Sequence, residues 1–553
     1  MTAATDTLTI RKVPTSPIEG QKTGTSGLRK KTAVITGTPN YIENWLQCLF
    51  SSIGDDLKGK TLVIGGDGRY HNSVVAQTAI RMGFANGVKR FVIGKNGILS
   101  TPGVSAVIRG RGLFGGIIMT ASHNPGGPNA DWGIKYNCEN GGPAPEKVTD
   151  QIYVLSKTIK EYYIADLEAP VDLTKLGEQH FSQDCVVEII DPYEIWVNLM
   201  KRCFDFDALR KFVARPDFTM LYDGLNAVTG PYAKKVFVDE LGAPASSIIE
   251  GTPLEDFGGA HPDPNLTYAH GLVEKMDSSK NPEAPVFGAA SDGDGDRNMV
   301  LGRDWFVSPS DSLAIIFDYA VQGAIPYFKK AGLPGVARSM PTSRAVDVVA
   351  KARGLPCYQT PTGWKFFGNL MDAGKVSLCG EESFGTGSNV IREKDGLFSV
   401  GVKQINEDHW RKYGRHFYTR CDYEGVDSGD ADKVFDHIRA KMADKSLAQG
   451  VKLGDGWTVA GAEEYRYVDP IDGSVAEKQG LIITFENGGR IVFRLSGTGS
   501  AGATIRLYME LYENDFDKIA SHGPLVESDL MKIALSVSDL EHFTGRKEPT
   551  VIT

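Results

Sequence analysis

The 553-residue chain is expected to be an α/β protein: three consecutive α/β domains on mixed, largely parallel sheets, then a smaller α+β domain. Three observations carry that expectation. The length suffices for three or four domains of roughly 100–200 residues each. Hydrophobic residues make up 41% and charged residues 23% of the chain, values ordinary for a globular protein and unlike those of a disordered or fibrous one. A strand–helix–strand rhythm recurs three times and then breaks.

In the first unit the apolar run of TLVIGGDGRY (61–70) closes on Gly and Asp, and a helical pattern follows in VVAQTAIRMGFANG. RFVIG (90–94), a helix around VSAVIRGRG and GGIIMTAS (115–122) complete a βαβαβ series. The second unit runs through FTMLYDG (218–224), the helix TGPYAKKVFVDEL, SSIIEG, a helix around GLVEKM and VFGAASDGDGDR (286–297). The third alternates helix and strand through SDSLAIIFDYA, GVARSM, TSRAVDVVAKARG, CYQTP, WKFFGNLMDAG and VSLCGEES. Such alternation favours parallel pairing with right-handed crossovers. The repeat is one of architecture, without a residue-for-residue period. The last part differs: helical KVFDHIRAKM precedes LIITFENGGRIVFRLSG and ATIRLYMELYE, which reads as α+β. Boundaries near 195, 307 and 420 give domains 1–195, 196–307, 308–420 and 421–553.

The formal charge of −9, from 69 acidic and 60 basic residues, offers no basic field for nucleic acid. A small phosphorylated substrate remains compatible with it, because a local Arg/Lys cluster can hold a small anion. The first residues, MTAATDTLTIRK, contain no apolar core of signal-peptide length, and no later segment approaches a membrane span. Seven scattered cysteines without CxxC spacing read as reduced thiols of a cytoplasmic protein.

Four loops stand where strands end, the place where open α/β sheets bind ligands. The first is TASHNPGGP (120–128). Its Ser122 lacks the G-x-S-x-G elbow of a hydrolase, and in an extended segment His123 would point to the opposite side. A plain polar turn is the alternative. The second, SDGDGDR (291–297), places Asp292, Asp294 and Asp296 at alternate positions, with glycines that let the backbone curl. An EF-hand needs Gly at its sixth position and Glu at its twelfth; Arg297 and Arg303 stand there. Mg²⁺ fits better, since it takes carboxylates on one side and phosphate oxygens on the other; a solvated acidic turn is the alternative.

The third loop, RLSGTGSAG (494–502), satisfies G-x-G-x-x-G, but strand-like ATIRLYMELY follows where a dinucleotide site needs a helix. It reads as a phosphate nest, neutralised by Arg494 or Arg506; a tight β-turn with exposed hydroxyls is the alternative. The fourth, CGEESFG (379–385), offers Glu381 and Ser383 to sugar hydroxyls, or merely exposes its charges. TSGLRK (25–30) offers Arg29 and Lys30 near a flexible glycine, and Lys135 follows shortly after the first loop; alone, surface cations of this kind usually have no catalytic part. A serine outside a hydrolase elbow, a cation cluster, a phosphate nest and a hydroxyl-binding loop together point to phosphoryl transfer on a phosphosugar, with Ser122 carrying the phosphate.

TASHNPGGP, DGDGDR, PTGWKFFGNLMDA, CGEESFGTGS and RLSGTGSAGATIRLY together resemble the phosphoglucomutases of the α-D-phosphohexomutase superfamily, through nearly the whole chain. The resemblance implies four domains around a central cleft. It makes Ser122 the phosphoserine and an Mg²⁺ ligand together with Asp292, Asp294 and Asp296. Arg29, His123, Lys135 and Arg297 would surround the transferring group, Lys135 as a base if its pKa is lowered. Glu381, Ser383 and Lys394 would contact the sugar, while Thr362 and Gly363 would accommodate its alternative orientation. Arg494, Ser496, Thr498 and Arg506 would grip the non-transferring phosphate. The implied reaction interconverts glucose 1-phosphate and glucose 6-phosphate through glucose 1,6-bisphosphate, in a monomer without nucleic-acid or membrane partners. A non-catalytic scaffold, a phosphomannomutase and a glucose 1,6-bisphosphate synthase are the competing readings. One departure stands out: after Leu397 most of a longer apolar helix, of the type AVLAWLSILA, is missing, which would leave its packing partners exposed.

Overall fold

The computed structural model describes residues 7–24, 27–396, 403–496, 502–519 and 525–553. The first sheet has seven strands, in spatial order Leu28–Lys31, Asp131–Cys138, Gly115–Met119, Thr61–Gly66, Arg90–Gly94, Val186–Ile190 and Gly177–His180. Its three inner pairings are parallel and the other three antiparallel. Thr61–Gly66 and Gly115–Met119 are buried along nearly their whole length, as parallel strands covered on both faces are. Between them the helix Thr101–Arg111 starts where the Ser100 hydroxyl accepts the Gly103 N–H, with proline in its first turn. It stops at Gly112 in the left-handed region, the usual pairing of N-cap and C-cap signals.

The second sheet runs Ile248–Ile249, Met220–Asp223, Phe287–Ser291, Asn298–Gly302, Trp305–Val307, and the third Cys357–Thr360, Val336–Ser339, Leu378–Glu381, Gly385–Ser388. Each again has a parallel part and an antiparallel edge. The helix read over TGPYAKKVFVDEL begins as an α-helix at Thr229–Ala233 and widens into a π-helical stretch at Lys234–Glu240.

One feature repeats in all three units. The last parallel strand turns straight back into an antiparallel neighbour: Gly115–Met119 into Asp131–Cys138, Phe287–Ser291 into Asn298–Gly302, Leu378–Glu381 into Gly385–Ser388. The serine, carboxylate and Glu-Glu-Ser loops are these reversals. In the C-terminal sheet, whose strand pairings are antiparallel, Arg490–Ser496 likewise returns as Ala503–Glu513.

An apolar cluster crosses the first three units, joining Ala106, Trp196, Tyr232, Leu313, Val336 and Tyr413 among others. The C-terminal unit has its own, drawn from residues between Phe417 and Leu540. The two meet where Met340 packs with Ile482, Val492 and Tyr508 and the Arg490 guanidinium donates to the Met340 carbonyl at 2.9 Å and the Thr342 carbonyl at 2.8 Å, with further contacts such as Phe366 on Tyr467.

Leu397 and the five residues after it lie outside the described residues. Beyond them the helix Lys403–Tyr413 docks on the third unit. Trp410 packs at a tilt, 5.3 Å from Trp305 of the second unit, and the Tyr413 hydroxyl donates to Asp318 Oδ1 of the third at 2.7 Å. The described remainder of the shortened segment is therefore packed. All seven cysteines are free thiols, and no helix among the described residues is long and apolar enough to cross a membrane.

Candidate active site

The reversals of the first three units and the arginine strands of the fourth face one cleft. Its wall holds Arg29, Ser122, His123 and Lys135 from the first unit, and Asp296 and Arg297 from the second. The third supplies Thr362, Gly363, Glu381, Ser383 and Lys394, and the fourth Arg494, Ser496 and Arg506. Asp292 and Asp294 are fully buried beside it. Thr498 lies outside the described residues.

Ser122 is buried and has φ 55, a left-handed conformation that costs a non-glycine residue roughly 1–2 kcal/mol. That twist overturns the sequence expectation for His123: the segment is not extended, and His123 Nδ1 stands 3.3 Å from Ser122 Oγ. Burial, then the charges of Arg297 and Arg29, hold the His123 pKa well below the usual histidine value, so the imidazole is neutral. Its ring tilts against His261, which stacks flat on Tyr268 at 4.0 Å. The Ser122 hydroxyl donates to Asp292 Oδ2 at 3.0 Å.

Asp292, Asp294 and Asp296 bring one oxygen each within 4.8 Å of one another. Gly293 is needed in the curl between them, since a Cβ there would stand 2.4 Å from the Ser122 carbonyl oxygen. Asp292 Oδ1 accepts the backbone N–H groups of Asp296 and Arg297 at 2.9 and 3.0 Å. Asp294 Oδ2 accepts the Thr101 hydroxyl at 2.6 Å and lies 3.4 Å from Lys135 Nζ. Asp294 Oδ1 and Asp296 Oδ1 are buried without a hydrogen-bond partner. Hard, orphaned carboxylate oxygens crowded around one point fit a divalent cation.

Lys394 Nζ bridges this cluster to the sugar loop, 3.5 Å from Asp296 Oδ2 and 3.9 Å from Glu381 Oε2. Glu381 Oε1 accepts the Gly363 N–H at 3.0 Å, which ties the two loops predicted to handle the sugar. Burial works to lower the Lys135 pKa, but Asp294, Glu393 and Asp296 outweigh it and raise the value, opposite to what a base requires. Glu393 is a cleft residue that the sequence reading missed. It accepts from Asn137 Nδ2 at 2.8 Å, and burial, offset in part by Lys135, pushes its carboxyl up to about 7. Nothing in REKDG distinguishes it as such, and Thr101 and His261 were equally silent in sequence.

Arg494 and Arg506 stand directly opposite each other on the paired strands, where like charges repel. Arg494 Nη1 donates to the Tyr508 hydroxyl at 3.2 Å, and Arg506 Nε lies 3.5 Å from Asp422. Two facing guanidinium groups at a cleft wall have the charge and donors that could hold a dianion.

The class is thus a multidomain α/β protein whose strand reversals bring a serine, a carboxylate triad and an arginine pair to one cleft. Family models described as phosphoglucomutase/phosphomannomutase alpha/beta/alpha domains I, II and III match residues 20–163, 194–305 and 309–401, and the phosphoglucomutase-1 C-terminal domain matches 415–550. "Phosphoglucomutase 1, chloroplastic" of Marchantia polymorpha is 54% identical, covering 98% of this chain and 85% of its own. "Probable phosphoglucomutase, cytoplasmic 1" of Arabidopsis thaliana is 52% identical, covering 98% and 99%. The open-form crystal structure of pp63/parafusin, a phosphoglucomutase from Paramecium, superposes with a TM-score of 0.88 at 44% identity over the full length of both chains. The chain belongs to the phosphoglucomutase/phosphomannomutase family, within the α-D-phosphohexomutase superfamily.

Proposed function

We propose that the protein is a phosphoglucomutase, an isomerase that interconverts glucose 1-phosphate and glucose 6-phosphate through phosphoserine at Ser122 and a glucose 1,6-bisphosphate intermediate. The observation that carries this reading is the Ser122 hydroxyl against the carboxylate triad, in the same cleft as the arginine pair. The glucose assignment is supported by the relatives named phosphoglucomutase. A cytoplasmic monomer acting on small phosphosugars is the setting we assign to it.

In the forward step the free hydroxyl of the bound sugar attacks the phosphoserine phosphorus. The P–O bond to Ser122 breaks and its oxygen keeps the electron pair, leaving glucose 1,6-bisphosphate. The bisphosphate turns over within the cleft, and Ser122 Oγ attacks its other phosphate. As the bond to Ser122 breaks, its oxygen takes up the proton that the sugar hydroxyl gives up. In the second transfer the P–O bond to the sugar breaks and the proton returns to the sugar oxygen, with neutral His123 Nδ1 beside Ser122 Oγ to relay it. Lys135 holds its own proton among Asp294, Asp296 and Glu393; neutralising those carboxylates is what would free it to act as the sugar's base.

Asp292, Asp294, Asp296 and a Ser122 oxygen would hold Mg²⁺, which supplies Lewis-acid neutralisation of charge on the moving phosphoryl group. Arg494 and Arg506, with Ser496 beside them, hold the phosphate that does not move. Glu381, Ser383 and Lys394 read the hydroxyls, and Thr362 and Gly363 line the space for reorientation. Exclusion of water by the C-terminal unit keeps the phosphoserine from hydrolysis.

The test is conversion of glucose 1-phosphate by purified protein with Mg²⁺ and trace glucose 1,6-bisphosphate, beside Ser122→Ala. Turnover in the wild type and none in the variant is expected. An inactive, folded wild type would remove the mutase reading and favour the scaffold.

A further inference from the structure

We propose that Asp67, Arg69 and Thr120 are positioning residues that clamp both backbone polar groups of Ser122 and so hold it in the left-handed conformation that aims its hydroxyl at the carboxylate triad. The proposal deepens the mutase reading and rests on it.

The clamp has two arms. On one, Arg69 Nη2 donates to the Ser122 carbonyl at 3.0 Å and to the Asn124 carbonyl at 3.3 Å, while Nη1 donates to the Asp131 carbonyl at 2.7 Å. On the other, the Ser122 N–H donates to Thr120 Oγ1 at 2.7 Å, and the Thr120 hydroxyl donates to Asp67 Oδ2 at 2.6 Å. The arms close on each other, because Arg69 Nε reaches both Asp67 carboxylate oxygens at 2.9 and 3.1 Å. Asp67 Oδ1 also accepts the Arg69 N–H at 3.1 Å and Asn72 Nδ2 at 3.3 Å. The guanidinium lies 5.2 Å over the Phe257 ring of the second unit.

Asp67 and Arg69 side chains are fully buried, and a buried ion pair is weak evidence for stability because desolvation offsets its attraction. What distinguishes this pair is where its remaining contacts go: the guanidinium's other donors end on carbonyls of the serine loop and the strand that follows it. The carbonyl it grips at Ser122 is also the atom against which Gly293 of the carboxylate loop packs. A relaxed Ser122 would therefore rotate its hydroxyl away from Asp292 and disturb the neighbouring loop at once. Two fixed hydrogen bonds on one residue are what keep an unfavourable backbone angle populated.

Thr120→Val removes the hydroxyl relay with little change of shape, and Thr120→Ser restores it; Arg69→Lys removes the fork without removing the charge. Each full-length variant is assayed with Mg²⁺ and glucose 1,6-bisphosphate, and Ser122 phosphorylation is followed by intact mass. For Thr120→Val and Arg69→Lys, kcat and the rate of phosphoserine formation are expected to fall together by about 100-fold while KM stays within about twofold, as for a misaimed but otherwise intact site. Thr120→Ser is expected to recover most of the rate. Undiminished kcat in both clamp variants, or a loss confined to KM, overturns the proposal. If Thr120→Val does not fold, Arg69→Lys decides by the same criteria. If the wild type itself proves inactive, the mutase reading falls, and the clamp is judged from a crystal structure of either variant: Ser122 relaxed to negative φ supports it, and Ser122 still near its present angle overturns it.

Discussion

Asp292→Asn isolates the charge stored in the carboxylate triad. With ligand atoms within 4.8 Å, each ionised pair repels by about 3.5 kcal/mol or more at an effective dielectric of roughly 20. Asp292 takes part in two of the three pairs. In the metal-free protein burial, then Asp296 and Asp294, raise its pKa well above the usual carboxylate range. Burial works against ionised Asp294, but Lys135 and the Thr101 hydroxyl hold it at about 2. Burial and mutual repulsion thus favour proton uptake at Asp292 when no cation is bound, and a bound cation opposes it. A carboxyl whose folded pKa is raised binds more protons folded than unfolded. Its stabilisation is full below the unfolded pKa and is lost as pH climbs towards the folded value. Metal-free wild type should therefore weaken as pH rises out of the usual carboxylate range, and the asparagine variant should show a shallower slope, the remainder coming from groups such as Glu393. With Mg²⁺ at about 100 times its Kd the wild type should gain about 2.7 kcal/mol, and the variant, short of one ligand, should lose most of that gain. Thermal unfolding in EDTA and in Mg²⁺, across about pH 5 to 8, reads both effects. A variant that keeps the full magnesium gain, or a steeper pH slope than wild type, would refute the reasoning.

Trp196 Nε1 donates to buried Asp395 Oδ2 at 2.8 Å, so Trp196→Phe should cost about 1–3 kcal/mol. It should also raise KM by loosening the segment that carries Lys394, in denaturant titration and steady-state kinetics respectively. Lys394→Met leaves the buried Asp296 and Glu381 carboxylates without their shared cation. It should lower kcat/KM for glucose 1-phosphate by about 30-fold or more, the low end of the about 2–5 kcal/mol for a severed buried pair. Tyr413→Phe removes the 2.7 Å bond to Asp318 and should cost about 1 kcal/mol with kcat unchanged, which chemical denaturation beside an activity assay would check.

The helices and parallel strands were legible because burial on both faces writes continuous apolar runs such as TLVIG and GGIIM. The carboxylate loop was legible because like charges at close spacing need a partner, and the arginine loop because a strand-like segment follows its G-x-G-x-x-G run. The antiparallel returns were harder. Asp131–Cys138, which carries Lys135, mixes Asp, Trp, Gly, Lys and Asn because its residues serve the cleft as much as the core, and that mixture erases the period of two. The direction of His123 was misread for a different reason: it depends on the left-handed angle at Ser122, which tertiary contacts impose and local propensity does not reveal. Glu393 became visible only once the third unit folded against Asn137 of the first, a pairing across 256 residues.

The division of the apolar core sets one wall of the cleft apart from the rest. The serine, carboxylate and Glu-Glu-Ser loops stand on units joined by a common cluster, so they cannot shear past one another without exposing it. The arginine pair stands on a unit with a separate core, which meets the others at Met340 and Arg490 and again where Phe366 packs on Tyr467. A change in how that unit is seated would therefore shift the arginine wall and leave the other loops in register.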